Sequence, residues 1–212
     1  MANSFETDWE EPELDTLASL AHHLVYRLPG CDDTMVRLTL QEVYRDFCRR
    51  SCCLRVRRLF EFDPCGKYVL PTLFGERVYR VTEVCDGSHR LDEGRDYSVA
   101  GGVVRIFRGF RETRHDDPVE KPPRGPVIAW IEIPALSSER IPRWLVERHG
   151  DSICSGALAR LMAMSNRPWS DPQMAVIEGQ RFEAAVNEEC QRLYAVGDSG
   201  AQGSVFDTRD IV

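Results

Sequence analysis

The sequence has 212 residues, of which 42% are hydrophobic and 29% charged, enough for one core or for a helical core with a small β satellite. Its formal net charge of −7 argues against sequence-independent nucleic-acid binding as the main task, because that affinity comes from Lys and Arg neutralising phosphates. No apolar run approaches the roughly 20 residues of a membrane-spanning helix, so we expect no membrane partner and cytoplasmic synthesis.

The chain begins with an acidic segment and a first helical pattern. Residues 1–12 carry no hydrophobic periodicity, which predicts an arm that is either mobile or ordered by a partner. From Glu13 onwards, apolar residues recur at helical spacing and predict a helix that ends at Pro29 and Gly30. The stripe consists of Leu14, Leu17, Ala21, Leu24 and Leu28. His22 and His23 fall within it without a carboxylate or cysteine motif, so we interpret them as solvated or capping residues.

A second helix is predicted to start near Asp32, Asp33 or Thr34, whose side chains can cap its first turn. Val36, Leu40, Val43 and Phe47 mark its buried side. Arginines occupy its other faces and continue beyond it, and the candidate interaction residues among them are Arg45, Arg49, Arg50, Arg55 and Arg57. Such a cluster could contact DNA phosphate or an acidic rim on a partner ring. A solvated face paired with local acids is the other interpretation.

At Leu54 the hydrophobic period changes from 3.6 to two, which is typical of strands with one buried face. Turn sequences at Asp63 to Gly66, at Asp86 to Ser88 and at Ala100 to Gly102 separate further short strands. Val127, Ala129, Ile131 and Ile133 alternate as a last strand. About six short strands predict a small antiparallel sandwich or open barrel, and residues 110–125 between them predict a loop that contacts a partner.

Two long helical patterns occupy residues 143–196. The first has Ile153, Ala157, Leu161 and Met164 on its apolar face. The second has Ala175, Phe182 and Val186 among its apolar positions, is capped by Ser170 or Asp171 with Pro172 in its first turn, and is expected to stop at Gly197. A short polar connection predicts that the two helices return alongside each other as an antiparallel hairpin.

The eight cysteines are scattered in a chain without an export signal, so a disulfide framework is not expected. Cys48, Cys52, Cys53 and Cys65 could cluster, but they lack paired CxxC spacing, and small buried thiols are the preferred interpretation. We therefore predict no metal and no cofactor.

The sequence contains only weak resemblances to catalytic motifs. Gly150-Asp151-Ser152-Ile153 is similar to the nucleophile block of GDSL-type esterases, but His149 is the last histidine, so the downstream base of that family is missing. His115, Asp116 and Asp117 form the nearest acidic constellation, in a proline-rich loop. We predict no enzyme and keep two alternatives: a hydrolase using the Asp151-Ser152 region or the His115 loop, and a nucleic-acid-binding regulatory module.

Several stretches carry a family resemblance: residues 148–153, the Gly-Ala-Leu-Ala-Arg-Leu run from Gly156, and the Arg-Pro-Trp-Ser-Asp-Pro run from Arg167. Together with Leu28 to Cys31, they resemble the head-to-tail connector proteins of tailed bacteriophages, the adaptor or tail tubular protein A-like family. The resemblance implies a homo-oligomeric ring of twelve subunits between the portal protein and the tail nozzle or tail tube, through which double-stranded DNA passes. It also implies a virion location and a C-terminal arm that docks on the portal.

We therefore predict an α+β fold: a helical bundle, made of N-terminal helices and a long C-terminal helical hairpin, with an inserted small antiparallel β domain. The expected parts are residues 1–53 (arm and first helices), 54–134 (β domain), 135–197 (hairpin) and 198–212 (docking arm). The tail from Asp198 to Ser204 is flexible by composition, and the apolar side chains beyond it complete the candidate interaction set: Val205, Phe206, Ile211 and Val212.

Overall fold

The computed structural model describes residues 13–72, 77–87, 89–107, 125–135 and 137–198. For residues 193–198 it describes the backbone but not the side chains. The chain divides into two compact units. We call residues 1–51 with 136–212 the terminal unit, and residues 52–135 the middle unit.

A two-stranded ribbon sets the starts of two helices in the terminal unit. Strand β1 (Leu14–Thr16) pairs antiparallel with β9 (Arg140–Pro142), and each strand runs directly into a helix, α1 (Leu17–Val25) or α3 (Arg143–Met162). The Leu17 N–H donates to the Glu139 carbonyl and the Arg143 N–H donates to the Glu13 carbonyl, each over 2.9 Å. The ribbon therefore satisfies first-turn donors that a helix leaves without internal partners.

The core of the terminal unit lies between α1, α2 (Asp33–Ser51), α3 and α4 (Pro172–Asp198). The predicted stripe of α2 is confirmed, because Val36, Leu40, Val43 and Phe47 are fully buried. Asp171 caps α4 as predicted: its Oδ1 accepts the N–H groups of Gln173 and Met174, at 3.2 and 3.0 Å.

Gly156 lets three helices of the terminal unit approach closely. A Cβ atom at this position of α3 would lie 2.6 Å from Cδ2 of Phe182 on α4 and 2.7 Å from Cγ1 of Val43 on α2. By contrast, a Cβ at Gly179 of α4 would meet Ala159 at an ordinary contact distance of 3.7 Å. The helix packing therefore requires glycine at 156 but tolerates a methyl group at 179.

The described residues of the middle unit form two antiparallel sheets. The first has the order β2-β8-β4-β5 and is formed by β2 (Arg55–Leu59), β8 (Val127–Ile133), β4 (Arg77–Asp86) and β5 (His89–Arg90). The second has the order β3-β7-β6 and is formed by β3 (Lys67–Val69), β7 (Val103–Ile106) and β6 (Tyr97–Ala100). Trp130 and Ile128 of β8 are fully buried, and the Trp130 indole donates to Glu132 Oε1 over 3.0 Å.

Two register shifts interrupt the pairing of β4 with β8, one at Tyr79 and one at Thr82. Each leaves one extra residue of β4 without a residue opposite it, as in a β-bulge. After both shifts, Glu83 again lies opposite Ala129, so paired residues of β2, β8 and β4 share one face.

The predicted fold class is wrong. The described residues form a mixed α/β chain with four helices and three antiparallel sheets, not a helical bundle with a long C-terminal hairpin and one inserted β domain. One sheet, β1 with β9, belongs to the terminal unit and joins segments more than a hundred residues apart. Local hydrophobic periodicity carries no signal for such a pairing, because strand formation depends on the partner.

Several helix ends also differ from the prediction. The first helix, expected to include Leu28 and to end at Pro29 and Gly30, ends at Val25. Met164, expected on the apolar face of α3, lies beyond the end of that helix at Met162. Leu14, expected on the first helical stripe, lies in β1, and the helix begins at Leu17. Gly197, expected to stop the last helix, lies within α4, which extends to Asp198.

Replacement of Gly156 by alanine should destabilise the protein by about 1–3 kcal/mol, because the new methyl group overlaps Phe182 and Val43. The matched control is Gly179→Ala, which should be neutral or stabilise by up to about 1 kcal/mol through helix propensity. Urea unfolding followed by circular dichroism measures both changes. Equal stability of the two variants would contradict the close packing at Gly156.

Candidate functional site

An open groove of about 630 Å³ runs across α2, α3 and α4 of the terminal unit. Small residues line it, namely Gly156, Ala159 and Gly179, and charged residues flank them. The exposed Val176 of α4, 60% accessible, adds an apolar edge. An open surface that combines small, apolar and charged side chains suits contact with another protein.

Ion pairs tie the charged side chains of the groove together. Asp46 of α2 accepts hydrogen bonds from Arg49 at 2.7 Å and from Arg160 of α3 at 3.1 Å. The two terminal guanidinium nitrogens of Arg50 donate to the two carboxylate oxygens of Glu183 on α4, and this hydrogen bonding lowers the pKa of Glu183. These pairs are largely exposed, so they contribute little stability, but they orient the charges that the groove presents.

The predicted arginine cluster is divided between the two units. Arg45, Arg49 and Arg50 lie near the end of α2, and Arg50 also lies 5.8 Å above the Phe182 ring. Arg55 and Arg57 lie on β2 of the middle unit, where Arg57 faces Glu83 at 3.9 Å. The other predicted interaction residues, Val205, Phe206, Ile211 and Val212, lie outside the described residues.

Two buried carboxylates on α4 were not anticipated from the sequence. Glu178 is fully buried, and its Oε1 accepts hydrogen bonds from Arg27 at 2.6 Å and from Arg181 at 3.3 Å. Burial by itself would raise the pKa of Glu178, but the hydrogen bond from Arg27 and the nearby positive charges lower it below its ordinary value. The local signal, a Glu and an Arg three residues apart, does not distinguish a buried pair from an exposed one.

Glu189 is the second buried carboxylate. It lies 3.3 Å from His149 Nε2 and accepts a 2.9 Å hydrogen bond from Arg192 Nε. Burial acts to raise the pKa of Glu189, but the bonds from His149 and Arg192 outweigh it and lower the pKa to about 2. The imidazole of His149 also packs against Phe47, with ring centroids 4.9 Å apart. His149 is therefore built into the core by partners on two helices.

This placement bears on the hydrolase alternative. Ser152 is half-buried inside α3, and His149, three residues earlier on the same helix, is directed to Glu189 and Phe47. A nucleophilic serine requires a base within hydrogen-bond reach, and in the described structure the His149 imidazole bonds to Glu189 rather than to Ser152. The other hydrolase candidates, His115, Asp116 and Asp117, lie outside the described residues.

The cysteines that could have clustered differ in exposure. Cys48 and Cys53 are buried, Cys52 is half-buried and Cys65 is exposed. Among the described residues, no group of three or more His, Cys, Asp or Glu side chains is arranged to hold a metal ion. The same part of the chain contains no helix that is both long and apolar enough to cross a membrane.

Comparison with known proteins assigns no family to this chain: no family model matches it, and no curated protein does.

Neutralising Glu189 with glutamine should destabilise the protein by about 2–3 kcal/mol at pH 7, because it removes one partner of a buried ion pair. Since the folded pKa of about 2 lies below the ordinary value of 4.5, the stabilisation is present above pH 4.5 and is lost as the pH falls towards 2. The difference between wild type and Glu189→Gln in urea unfolding should therefore shrink between pH 5 and pH 3. The exposed neighbour Glu188, replaced by glutamine, is the control, and an equal effect there would contradict the buried pairing.

Proposed function

We propose that this protein is a structural subunit of the virion of a tailed bacteriophage, and that it forms a head-to-tail connector ring between the portal and the tail. DNA passes through the ring, and the task of each subunit is binding rather than catalysis. Its contacts are those with neighbouring subunits, with the portal protein and with the tail nozzle or tail tube.

The observation that supports this proposal best is the structural role of the residues that carry the family resemblance. They serve packing and capping: Gly156 lies at the helix contact, Trp169 is buried, and Asp171 caps α4. His149, from the same stretches, is held by Glu189 and Phe47. Residues with reactive side chains in these stretches are thus used for structure, which favours a structural protein over an enzyme.

The groove on α2, α3 and α4 is the surface we assign to the contact between neighbouring subunits. A closed ring requires a heterologous interface, in which different surfaces of two identical chains meet. The oriented charges of Asp46, Arg50 and Arg160 would set the register of such a contact, and Val176 would supply apolar area. The C-terminal residues 197–212 are the segment we assign to the portal.

Sedimentation of the purified protein with the portal ring of its own phage tests the connector proposal. We expect co-migration at a fixed ratio of subunits, because ring proteins bind a portal with matching stoichiometry. Deletion of residues 197–212 should abolish co-migration while leaving the circular dichroism spectrum unchanged. Absence of binding to a verified intact portal would overturn the proposal.

Replacement of Val176 by glutamate tests the groove separately. A charge at this exposed apolar position should weaken the assembly of subunits on the portal by at least tenfold without lowering the free energy of unfolding, because Val176 is 60% accessible. The matched control is Ile177→Glu, which changes the next residue of α4, 43% accessible and outside the groove. If both variants assemble like wild type, the groove is not the subunit contact.

A further inference from the structure

One face of the sheet β2-β8-β4-β5 carries five exposed arginines. The register places Arg55 and Arg80 on either side of Ile131, Arg77 beside Ile133, and Arg90 beside Cys85. Arg57 and Glu83 lie on either side of Ala129 on the same face. We call Arg55, Arg57, Arg77, Arg80 and Arg90 the arginine face; all five are exposed.

This face has little internal compensation of charge. Glu83 is the one acidic side chain that the register of these four strands places on it, since Asp86 and Glu132 belong to the opposite face. The distance from Arg57 to Glu83, 3.9 Å, is too long for a hydrogen bond. Arg55 and Arg90 donate to backbone carbonyls, those of Cys52 at 3.3 Å and Thr82 at 3.4 Å, which do not neutralise their charge. The positive charges of this face are therefore available to an acidic partner.

Strand β2 also offers free backbone groups at the edge of this sheet. In the described part of the chain, β2 has a neighbouring strand on one side only, β8. The Leu54 carbonyl accepts a hydrogen bond from Glu132 N–H, and the Phe60 N–H donates to the Pro126 carbonyl. In an antiparallel pair, alternate residues direct their N–H and C=O groups towards the partner strand, so those of Arg57 and Leu59 are directed away from β8. An exposed strand edge of this kind pairs readily with an added strand.

The acidic segment at the start of the sequence matches this edge in charge and in period. Residues 1–12 contain four acidic residues and no Lys or Arg. If the segment is extended, Glu6, Asp8 and Glu10 fall on one face, and Phe5, Thr7 and Trp9 on the other. The spacing of two residues between the acids equals the spacing between Arg55 and Arg57 on β2.

We propose that residues 5–10 of a second copy of this chain add to β2 as an antiparallel strand. Asp8 then lies opposite Arg57 and Glu10 opposite Arg55, on the arginine face. On the other face, Trp9 lies beside Val56 and Phe5 beside Phe60, so apolar side chains also match. A parallel strand with Asp8 opposite Arg57 would instead bring Trp9 next to Arg58, and one with Asp8 opposite Arg55 would bring Phe5 next to Cys52 and away from Phe60. The antiparallel register is therefore the one that gives both aromatic side chains an apolar neighbour.

The contact is a route for one copy to bind the next, and it does not require that the chain be a connector subunit. Nucleic acid is the competing occupant of a basic face, but double-stranded DNA would use neither the free strand edge nor the period of two. An acidic segment uses both. The chain as a whole is acidic at −7, which further disfavours DNA.

Zero-length cross-linking of the full-length protein tests the proposal without a portal, so its outcome is separate from that of the connector experiment. In a variant carrying Arg55→Lys and Arg57→Lys, a carbodiimide can join each new lysine to a carboxylate in direct contact. An equal mixture of ¹⁵N-labelled and unlabelled chains is cross-linked, digested and analysed by mass spectrometry. We expect amide links from residue 57 to Asp8 and from residue 55 to Glu10, with about half of them joining a labelled to an unlabelled peptide.

The native Lys67 is an internal control, because it is exposed on β3 in the other sheet of the middle unit and should not form these links. Adding Asp8→Asn and Glu10→Gln should abolish both links. Links within single-label chains only would show that the segment binds its own chain and would overturn the second-copy contact. The absence of any link, or retention of a labelled DNA duplex that Arg55→Gln and Arg57→Gln abolish, would equally overturn it.

Discussion

The terminal unit depends on keeping two carboxylates ionised inside its core. Burying Glu178 and Glu189 removes them from water, and this cost is offset only if each finds positively charged or hydrogen-bonding partners in place. Each draws one partner from its own helix, Arg181 or Arg192, and one from elsewhere in the unit, Arg27 or His149. The position of α4 against α3 and against the turn after α1 is therefore set by polar geometry as well as by apolar packing.

This constraint explains why the residues that first suggest chemistry do not form a reactive site in the described structure. His149 is occupied by a carboxylate, and Ser152 lies within a helix. What remains available lies on surfaces: the groove on α2, α3 and α4 in the terminal unit, and the arginine face in the middle unit. Both combine fixed charges with accessible apolar or backbone groups, which is the composition of surfaces that bind other proteins.

Local patterns in the sequence predicted single elements well. The stripe of Val36, Leu40, Val43 and Phe47 on α2, the change to a period of two near Leu54, and the cap of α4 all follow from interactions between residues close in sequence. The predicted fold class was wrong because it depended on pairings that are not local. The ribbon of β1 with β9 and the division of the middle strands into two sheets are decided by partners far along the chain.

The sequence located some residues of the candidate surfaces but did not show how they are grouped in the fold. Counting arginines located Arg50 and Arg57, but it treated them as one cluster, whereas they lie in different units. Hydrophobic periodicity also gives no sign that the carboxylates of α4 are buried, since it depends on residue type and not on the partner that makes burial acceptable. Arg27, which neutralises Glu178 from the turn after α1, is separated from it by 151 positions in the sequence.

The β1-β9 ribbon has a further consequence for the order of folding. Joining segments more than a hundred residues apart costs chain entropy that grows with the length of the open loop. A middle unit that has already folded shortens that loop, so the ribbon, and with it the starts of α1 and α3, forms most readily after the middle unit has collapsed.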